Sequence, residues 1–204
     1  MHDPDWFPQW HQRAQNVTSE VLQRLWAKVL AGEFTKPNSY SVSTLDTLSQ
    51  LSKADADLIG LLGPFVMDLG LIFKAPTLLK DAGLPLNALL DLEELGIITG
   101  LDGVGLSQQY NVEGTAAVGR LLIRCNGKAV YRVFKDNLQM MIPVYRLTRV
   151  GRELLSLGRF EPNTEYLYQI GKHIKEKGYT SVQIGDWIAT APNAGRLLNP
   201  TDID

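Results

Sequence analysis

Cysteine and histidine are scarce in this sequence. Among its 204 residues there is one cysteine, Cys125, so no internal disulfide can form, and a reducing, cytoplasmic location is expected. The three histidines stand at positions 2, 11 and 173, too scattered to supply the three or four converging ligands of a zinc site. We therefore expect neither a metal nor any other cofactor.

Long apolar segments are missing too. The longest, from Leu58 to Phe73, is interrupted by Pro64 and Asp68, and it is shorter than the ~20 residues that cross a bilayer. Aromatic residues, prolines and a histidine interrupt the first dozen positions, which is unlike the apolar stretch of a secretory signal. We expect no membrane association.

Catalytic motifs are absent as well. Neither the Gly-x-Ser-x-Gly turn of hydrolases nor a glycine-rich phosphate loop occurs. The densest acidic cluster is Asp91, Glu93 and Glu94, and the lone His173 lies among lysines; both patterns are more typical of solvent-exposed helix faces. Cys125 is in register with apolar residues of a predicted strand, and no group that would make its thiol reactive is predicted beside it. The sequence therefore favours a protein that is not an enzyme.

Helical spacing of apolar residues dominates the first third of the chain. The first strong helix carries Val21, Leu22, Leu25, Trp26, Val29 and Leu30. These side chains cover about half of the helix circumference, so the helix, and Trp26 in particular, is predicted to be buried. Further along, Ser52 and Asp55 have the spacing of a capping box. Residues 1–69 are predicted to form a helical subdomain.

The next segment, residues 70–160, has the element order of a winged helix: helix, turn, helix, strand, hairpin, strand, helix. Asn126-Gly127 separates two alternating runs and favours a two-residue hairpin turn, because both residues tolerate positive φ. Thr148 is predicted to cap the last helix. The predicted fold class is α+β, mainly α: a helical subdomain packed on a winged-helix-like subdomain with a hairpin wing. Residues 161–204 are predicted to be a C-terminal helix and a tail, which should be loose from Pro192 onward.

The helix predicted over Leu86–Leu95 argues against the usual use of a winged helix. It would occupy the position of a DNA-recognition helix, which normally offers arginine, lysine, asparagine or glutamine to base edges. This segment has Asn87 and three acidic residues, and it has no lysine or arginine. Such a helix is repelled by the phosphate backbone.

The predicted wing has the opposite charge. Residues 120–146 carry six basic residues and one acidic residue, and Arg120, Arg124 and Tyr131 are predicted to share one face of the hairpin. Together with Arg132, they are candidates for contacting phosphate or an acidic protein, although a plain solvated face is the more common outcome. Nucleic acid is therefore a partner that the sequence allows but does not favour.

Trp6, Phe7 and Trp10 form an aromatic cluster near the N-terminus. The more common role of such a cluster is to fasten a leading segment to the core; the alternative is a patch that binds a partner or a second copy of the chain. We expect a non-catalytic interaction or regulatory module with an unknown protein partner or self-association. The alternative is a nucleic-acid-binding regulator that uses its wing.

The chain also resembles the bacterial family catalogued as domain of unknown function 2806. The residues that carry the resemblance are Asp5-Trp6, Leu25-Trp26-Ala27-Lys28-Val29-Leu30-Ala31-Gly32-Glu33, Pro37-x-Ser39-x-Ser41, Thr44-Leu45, Leu51-Ser52-Lys53 and Leu147-Thr148-x-x-Gly151. Asn38 and Ser43 stand where the family often has glycine and arginine, so no role of that arginine carries over. The resemblance implies a bacterial protein and brings no known activity, cofactor or catalytic residue.

Overall fold

The computed structural model describes residues 5–101, 105–111, 119–134, 139–179, 181–191 and 194–203. Within these ranges the fold is α+β, as predicted, with eight α-helices and eight β-strands. The helices are α1 (Trp6–Ala14), α2 (Glu20–Thr35), α3 (Val42–Gln50), α4 (Lys53–Leu62), α5 (Pro76–Asp81), α6 (Leu86–Glu94), α7 (Arg149–Leu155) and α8 (Thr164–Glu176). The strands are β1 (Leu71–Phe73), β2 (Ile98–Thr99), β3 (Leu106–Asn111), β4 (Gly119–Cys125), β5 (Lys128–Phe134), β6 (Gln139–Leu147), β7 (Gln183–Ala191) and β8 (Ala194–Asp202).

The chain divides into two compact units, and each is assembled from three separate segments. The first unit comprises Met1–Gly63, Gly83–Thr99 and Leu147–Arg159. The second comprises Pro64–Ala82, Gly100–Arg146 and Phe160–Asp204. The segment 70–160, which the sequence suggested as one subdomain, therefore contributes to both units.

The first unit is a helical assembly in which α1 packs on α3, α2 on α4, and α4 on both α6 and α7. The prediction for Trp26 is confirmed, since 2% of its surface is exposed. The capping box is also confirmed: Ser52 accepts the Asp55 N–H, and the Asp55 carboxylate accepts the Ser52 N–H. The segment before α2, where no helix was predicted, forms α1.

A close backbone approach joins α7 to the end of α6. The Ile97 carbonyl accepts the Thr148 N–H at 3.0 Å, and the Thr148 hydroxyl caps α7 by accepting the Gly151 N–H, as predicted. A β-carbon on Gly151 would lie 2.2 Å from the Ile97 carbonyl oxygen. Glycine is therefore required at this position, because any side chain would push the two segments apart.

The second unit contains the predicted hairpin. β4 and β5 pair antiparallel with Leu122 opposite Tyr131 and Arg124 opposite Ala129, the register that the sequence indicated. Asn126 and Gly127 have φ of 47° and 83°, as a turn of this type requires. In the other sheet of this unit, β6 pairs antiparallel with β1 and with β3.

The loose tail was a wrong prediction. Gln183–Ala191 and Ala194–Asp202 form the antiparallel pair β7–β8, and β7 also pairs with β5, giving a sheet of order β4-β5-β7-β8. The hairpin β4–β5 is therefore part of a four-stranded sheet. The signal was weak because β7 and β8 contain glycine, asparagine, aspartate and proline, all of which are uncommon in strands. Across the described ranges, no helix is both long and apolar enough to cross a membrane.

Candidate interaction surfaces

The outer face of α6 is the most distinctive surface of the first unit. Leu89 and Leu92 point into the core, whereas Leu86 and Leu90, one helical turn apart, are 63% and 39% exposed. Single exposed leucines are ordinary, but two on one turn form a small apolar patch. The helix predicted here from the sequence is confirmed. The exposure of the two leucines was not predicted.

A third exposed leucine lies on the helix that packs against α6. Leu61 lies in the last turn of α4, which packs on α6, and it is 42% exposed. Its Cδ1 atom is 3.2 Å from the position that a β-carbon on Gly83 would take, so Leu61 lies beside the turn that leads into α6. We call Leu61, Leu86 and Leu90 the leucine patch.

The rest of the exposed face of α6 is polar and acidic. Asn87, Asp91 and Glu94 are all exposed, and Asp57 is exposed one turn before Leu61 on α4. No lysine or arginine occurs on α6. A surface of this kind can bind apolar and basic groups, and it is unsuited to phosphate.

Two of the hairpin arginines, Arg124 and Arg132, make contacts within the second unit. The Arg124 guanidinium is paired with the Asp68 carboxylate at 2.8 Å, which also accepts the Arg124 backbone N–H. Arg132 lies opposite Leu121 and hence on the other side of the hairpin, where its guanidinium carbon is 5.2 Å from the centre of the Tyr179 ring. Tyr131 is half-buried, and the Arg120 side chain lies outside the described part of the structure. The predicted basic strip stays a prediction.

Two side chains of the N-terminal aromatic cluster form hydrogen bonds within the first unit. Trp6 is buried and donates its indole N–H to the Tyr40 carbonyl at 2.8 Å, and Trp10 donates to the Trp26 carbonyl at 3.2 Å. Phe7 differs, since it is 50% exposed and stacks on Trp10. Two of the three aromatic side chains are thus engaged inside the unit, and Phe7 is left as the accessible one.

The second unit has a cleft of about 520 Å³ between the start of α5 and one face of α8. Its charged lining residues are Lys74, Asp81, Glu165, Lys172 and Glu176. Lys74 and Lys172 each lie over a tyrosine ring, at 4.5 and 4.8 Å from the ring centre. The lining carries both positive and negative charges. It includes His173 but neither Asp91 nor Glu94 of the acidic cluster.

His173 was expected to be solvent-exposed, and this was wrong. The ring is half-buried, with its centre 5.3 Å from that of Phe73. Burial lowers the pKa of His173 below the ordinary 6.5, and the charge of Lys177 lowers it further, although the Met141 backbone and Glu176 act in the opposite direction. Helical spacing places His173 one turn from the buried Ile170, on the same side of α8. The sequence could therefore have predicted that His173 is partly buried.

The lowered pKa makes the stability of the protein depend on pH. The unfolded chain protonates His173 first as the pH falls, so the contribution to stability is complete above pH 6.5 and is lost progressively below it. We expect His173 to contribute less than about 1 kcal/mol to the free energy of unfolding, because solvent screens the charge of a half-buried ring. Urea unfolding from pH 7.5 to 5 should show a smaller loss for His173→Gln than for the unchanged protein. Equal losses in both proteins would contradict this assignment.

Two carboxylates fix the loop between α2 and α3 in the first unit. Glu33 is 3% exposed, and it accepts the backbone N–H groups of Asn38, of Ser39 at 3.0 Å and of Tyr40 at 3.2 Å. The Tyr40 ring lies against Gly32, where a β-carbon would be 2.7 Å from the ring. Glu33 is one of the residues that carry the family resemblance, but the sequence alone predicts no role for it.

Glu153 of α7 holds the other end of the same loop. Its carboxylate accepts the Ser41 N–H at 2.7 Å, the Ser41 and Thr44 hydroxyls at 3.0 and 2.6 Å, and the Arg149 guanidinium at 2.7 Å. Burial raises the pKa of Glu153, but these hydrogen bonds outweigh it and leave the pKa below the usual value. All of these hydrogen-bond partners belong to the first unit, so the two carboxylates hold the loop in place.

Several of the residues that carried the family resemblance thus meet at this loop: Gly32, Glu33, Ser39, Ser41 and Thr44. A sequence profile described as protein of unknown function, DUF2806, matches residues 1–171. The chain belongs to the DUF2806 family. No curated protein and no solved structure matches it.

Cys125 is the one cysteine of this DUF2806 protein, and its surroundings disfavour the reactive thiolate. Burial raises the pKa of Cys125 to about 12, with a further increase from Asp68, and the thiol donates to the Pro64 carbonyl at 3.3 Å. Among the residues that the structure describes, no three histidine, cysteine or acidic side chains are grouped so as to hold a metal ion. The register of Cys125 with apolar residues of the strand predicts a core or edge position, and the structure places it in the core.

Proposed function

We propose that this DUF2806 protein is a non-catalytic protein-interaction module, and that the leucine patch with the acidic side of α6 is its docking surface. The observation that carries the proposal is the pair of exposed leucines on α6, one turn apart and next to Asp91 and Glu94. Exposed apolar side chains grouped within a polar rim are typical of protein-binding sites.

The electrostatics of α6 support a protein partner over a nucleic acid. Nucleic-acid-binding helices place lysine and arginine toward phosphates, and α6 has acidic residues in their place. The hairpin offers a weaker alternative, because the Arg124 charge is already compensated by Asp68. We also propose that the element order α5, α6, hairpin, α7 corresponds to a winged-helix-like arrangement, and that this arrangement serves protein docking.

Site-directed photo-crosslinking in the native cell tests the proposal directly. A benzophenone side chain at Asn87, which is exposed next to Leu86 in the sequence and on the acidic side of α6, should form covalent adducts with another protein. The same group at Gln50, an exposed position at the end of α3, is the matched control and should give none. Absence of a specific adduct at Asn87 would contradict the proposed docking surface.

Variants of the patch provide the second arm. Leu86→Ser with Leu90→Ser should reduce crosslinking from Asn87 at least about tenfold, since buried leucine anchors dominate binding energy at such sites. Ile188→Ser changes a similarly exposed residue of the second unit, 43% exposed, and should leave the yield unchanged. Circular dichroism should show that all variants keep the helical content of the unchanged protein.

A further inference from the structure

We infer that the partner of this surface presents a basic amphipathic helix, with apolar side chains on the leucine patch and lysine or arginine beside Asp91 and Glu94. The inference rests on the proposed function and adds the chemistry of the partner. It follows from the way in which apolar and acidic residues are distributed around α6, and from the complementary charge that this distribution selects.

The distribution follows from helix geometry. At about 100° per residue, Leu86 and Leu90 lie within about 40° of each other on the exposed side of α6. Glu94, Asn87 and Asp91 follow around the same side, at about 80°, 100° and 140° from Leu86. The exposed surface therefore has an apolar edge and an acidic edge along the helix axis, and the half-buried Glu93, about 20° to the other side of Leu86, adds a further carboxylate beside the apolar edge.

A partner must match both edges at once. An amphipathic helix has an apolar stripe with charged residues along its border, and long basic side chains can cover apolar surface while their charged ends reach carboxylates. An acidic helix would place like charges together, and a neutral apolar segment would leave Asp91 and Glu94 without compensation. The neighbouring Asp57 on α4 adds to the negative charge close to Leu61.

The charges beside the patch are free to form such pairs. Asp91 and Glu94 are exposed, and neither has a basic residue on its own helix. Lys53, at the start of α4, is exposed one turn before Asp57 and two turns before Leu61, so it lies at the far end of this face. Negative charge therefore prevails at the patch itself, which favours a basic occupant and discourages nucleic acid.

The test uses the full chain, labelled with nitrogen-15, and three synthetic peptides of about 18 residues, a length at which isolated helices become marginally stable. The first has leucines at i, i+3, i+4 and i+7 with lysines between them. The second replaces every lysine with glutamate. The third has the composition of the first in an order without helical spacing. Backbone amide shifts in two-dimensional spectra report where each peptide binds.

We expect the first peptide to shift amides of α6 and the end of α4, and the other two to bind at least about tenfold more weakly. Asp91→Asn with Glu94→Gln should weaken the first peptide by about fivefold at low salt, and added salt should reduce that difference. Leu86→Ser with Leu90→Ser should abolish binding at α6. The control Glu165→Gln, in the cleft of the second unit, should leave this binding unchanged.

The failures of the two proposals can be told apart. Equal binding of the acidic and basic peptides, or no effect of Asp91→Asn with Glu94→Gln, overturns the basic partner while crosslinking from Asn87 still supports docking. Shifts confined to Asp81, Glu165 and Glu176 would also overturn it, because the peptide would then follow charge alone. Light scattering that shows a dimer lost in Leu86→Ser with Leu90→Ser would replace the basic helix with a second copy of the chain.

Discussion

Trp26→Ala should lower the free energy of unfolding by about 3–5 kcal/mol, the range found when a core aromatic side chain is truncated. The indole is 2% exposed, at the centre of the first unit. Trp10 meets it edge-on with ring centres 6.3 Å apart, and the Trp10 indole also donates to the Trp26 carbonyl. The substitution therefore leaves a cavity and also removes the ring on which Trp10 rests. Urea unfolding followed by circular dichroism measures the change.

Phe7→Ala is the matched control for that experiment. Phe7 belongs to the same aromatic cluster, but half of its surface is exposed, so its removal should cost about 0.5–1 kcal/mol. A loss of stability for Trp26→Ala no larger than that for Phe7→Ala would show that the core of the first unit lies elsewhere. If the N-terminal cluster also mediates self-association, Phe7→Ala should lower the mass seen by light scattering without unfolding the protein.

Glu33→Ala should lower the free energy of unfolding by about 3 kcal/mol, because three backbone N–H groups lose a charged acceptor. Those groups belong to Asn38, Ser39 and Tyr40, and Asn38 is held at a φ of 65°, a left-handed conformation that asparagine tolerates better than most residues but that still costs free energy. Without the carboxylate, the loop loses the interactions that impose this conformation. The measurement is chemical unfolding, together with the amide shifts of residues 38–40.

Two substitutions bracket this result. Glu33→Gln keeps one acceptor oxygen and should show an intermediate loss, whereas Glu20→Ala removes an exposed carboxylate from the other end of α2 and should change stability by about 0.5 kcal/mol or less. Unaltered shifts at residues 38–40 in Glu33→Ala would mean that the loop is held by the packing of Tyr40 on Gly32 instead.

Local chemistry made part of this fold predictable. The Asn126-Gly127 turn fixes the register of β4 and β5, because a two-residue turn with positive φ leaves one way to pair the flanking residues. The caps at Ser52 and Thr148 are similarly local, since donor and acceptor are three residues apart. Each of these features is determined by a few neighbouring residues, and each was confirmed.

Features that depend on distant residues were not predictable in this way. Glu33 and Glu153 belong to no sequence motif. They hold the loop between α2 and α3 by hydrogen bonds, which form only once the fold brings both carboxylates to it. β7 is a strand because β5 and β8 supply its hydrogen bonds, and its own residues show weak strand preference. The acidic character of α6 could be read from the sequence, but the exposure of Leu86 and Leu90 depends on which side packs against α4.

The interleaving of the two units has a consequence for how the chain can fold. The chain passes from one unit to the other after residues 63, 82, 99, 146 and 159. Ser41 and Glu153, which close the first unit, are 112 positions apart, and such distant pairings fold slowly because the intervening chain must first be ordered. On the ribosome, α1 to α4 must therefore wait until Glu153 has been synthesised before their unit can close. During that interval the sides of α3 and α4 that later pack on α6 and α7 stay uncovered, which exposes the nascent chain to aggregation.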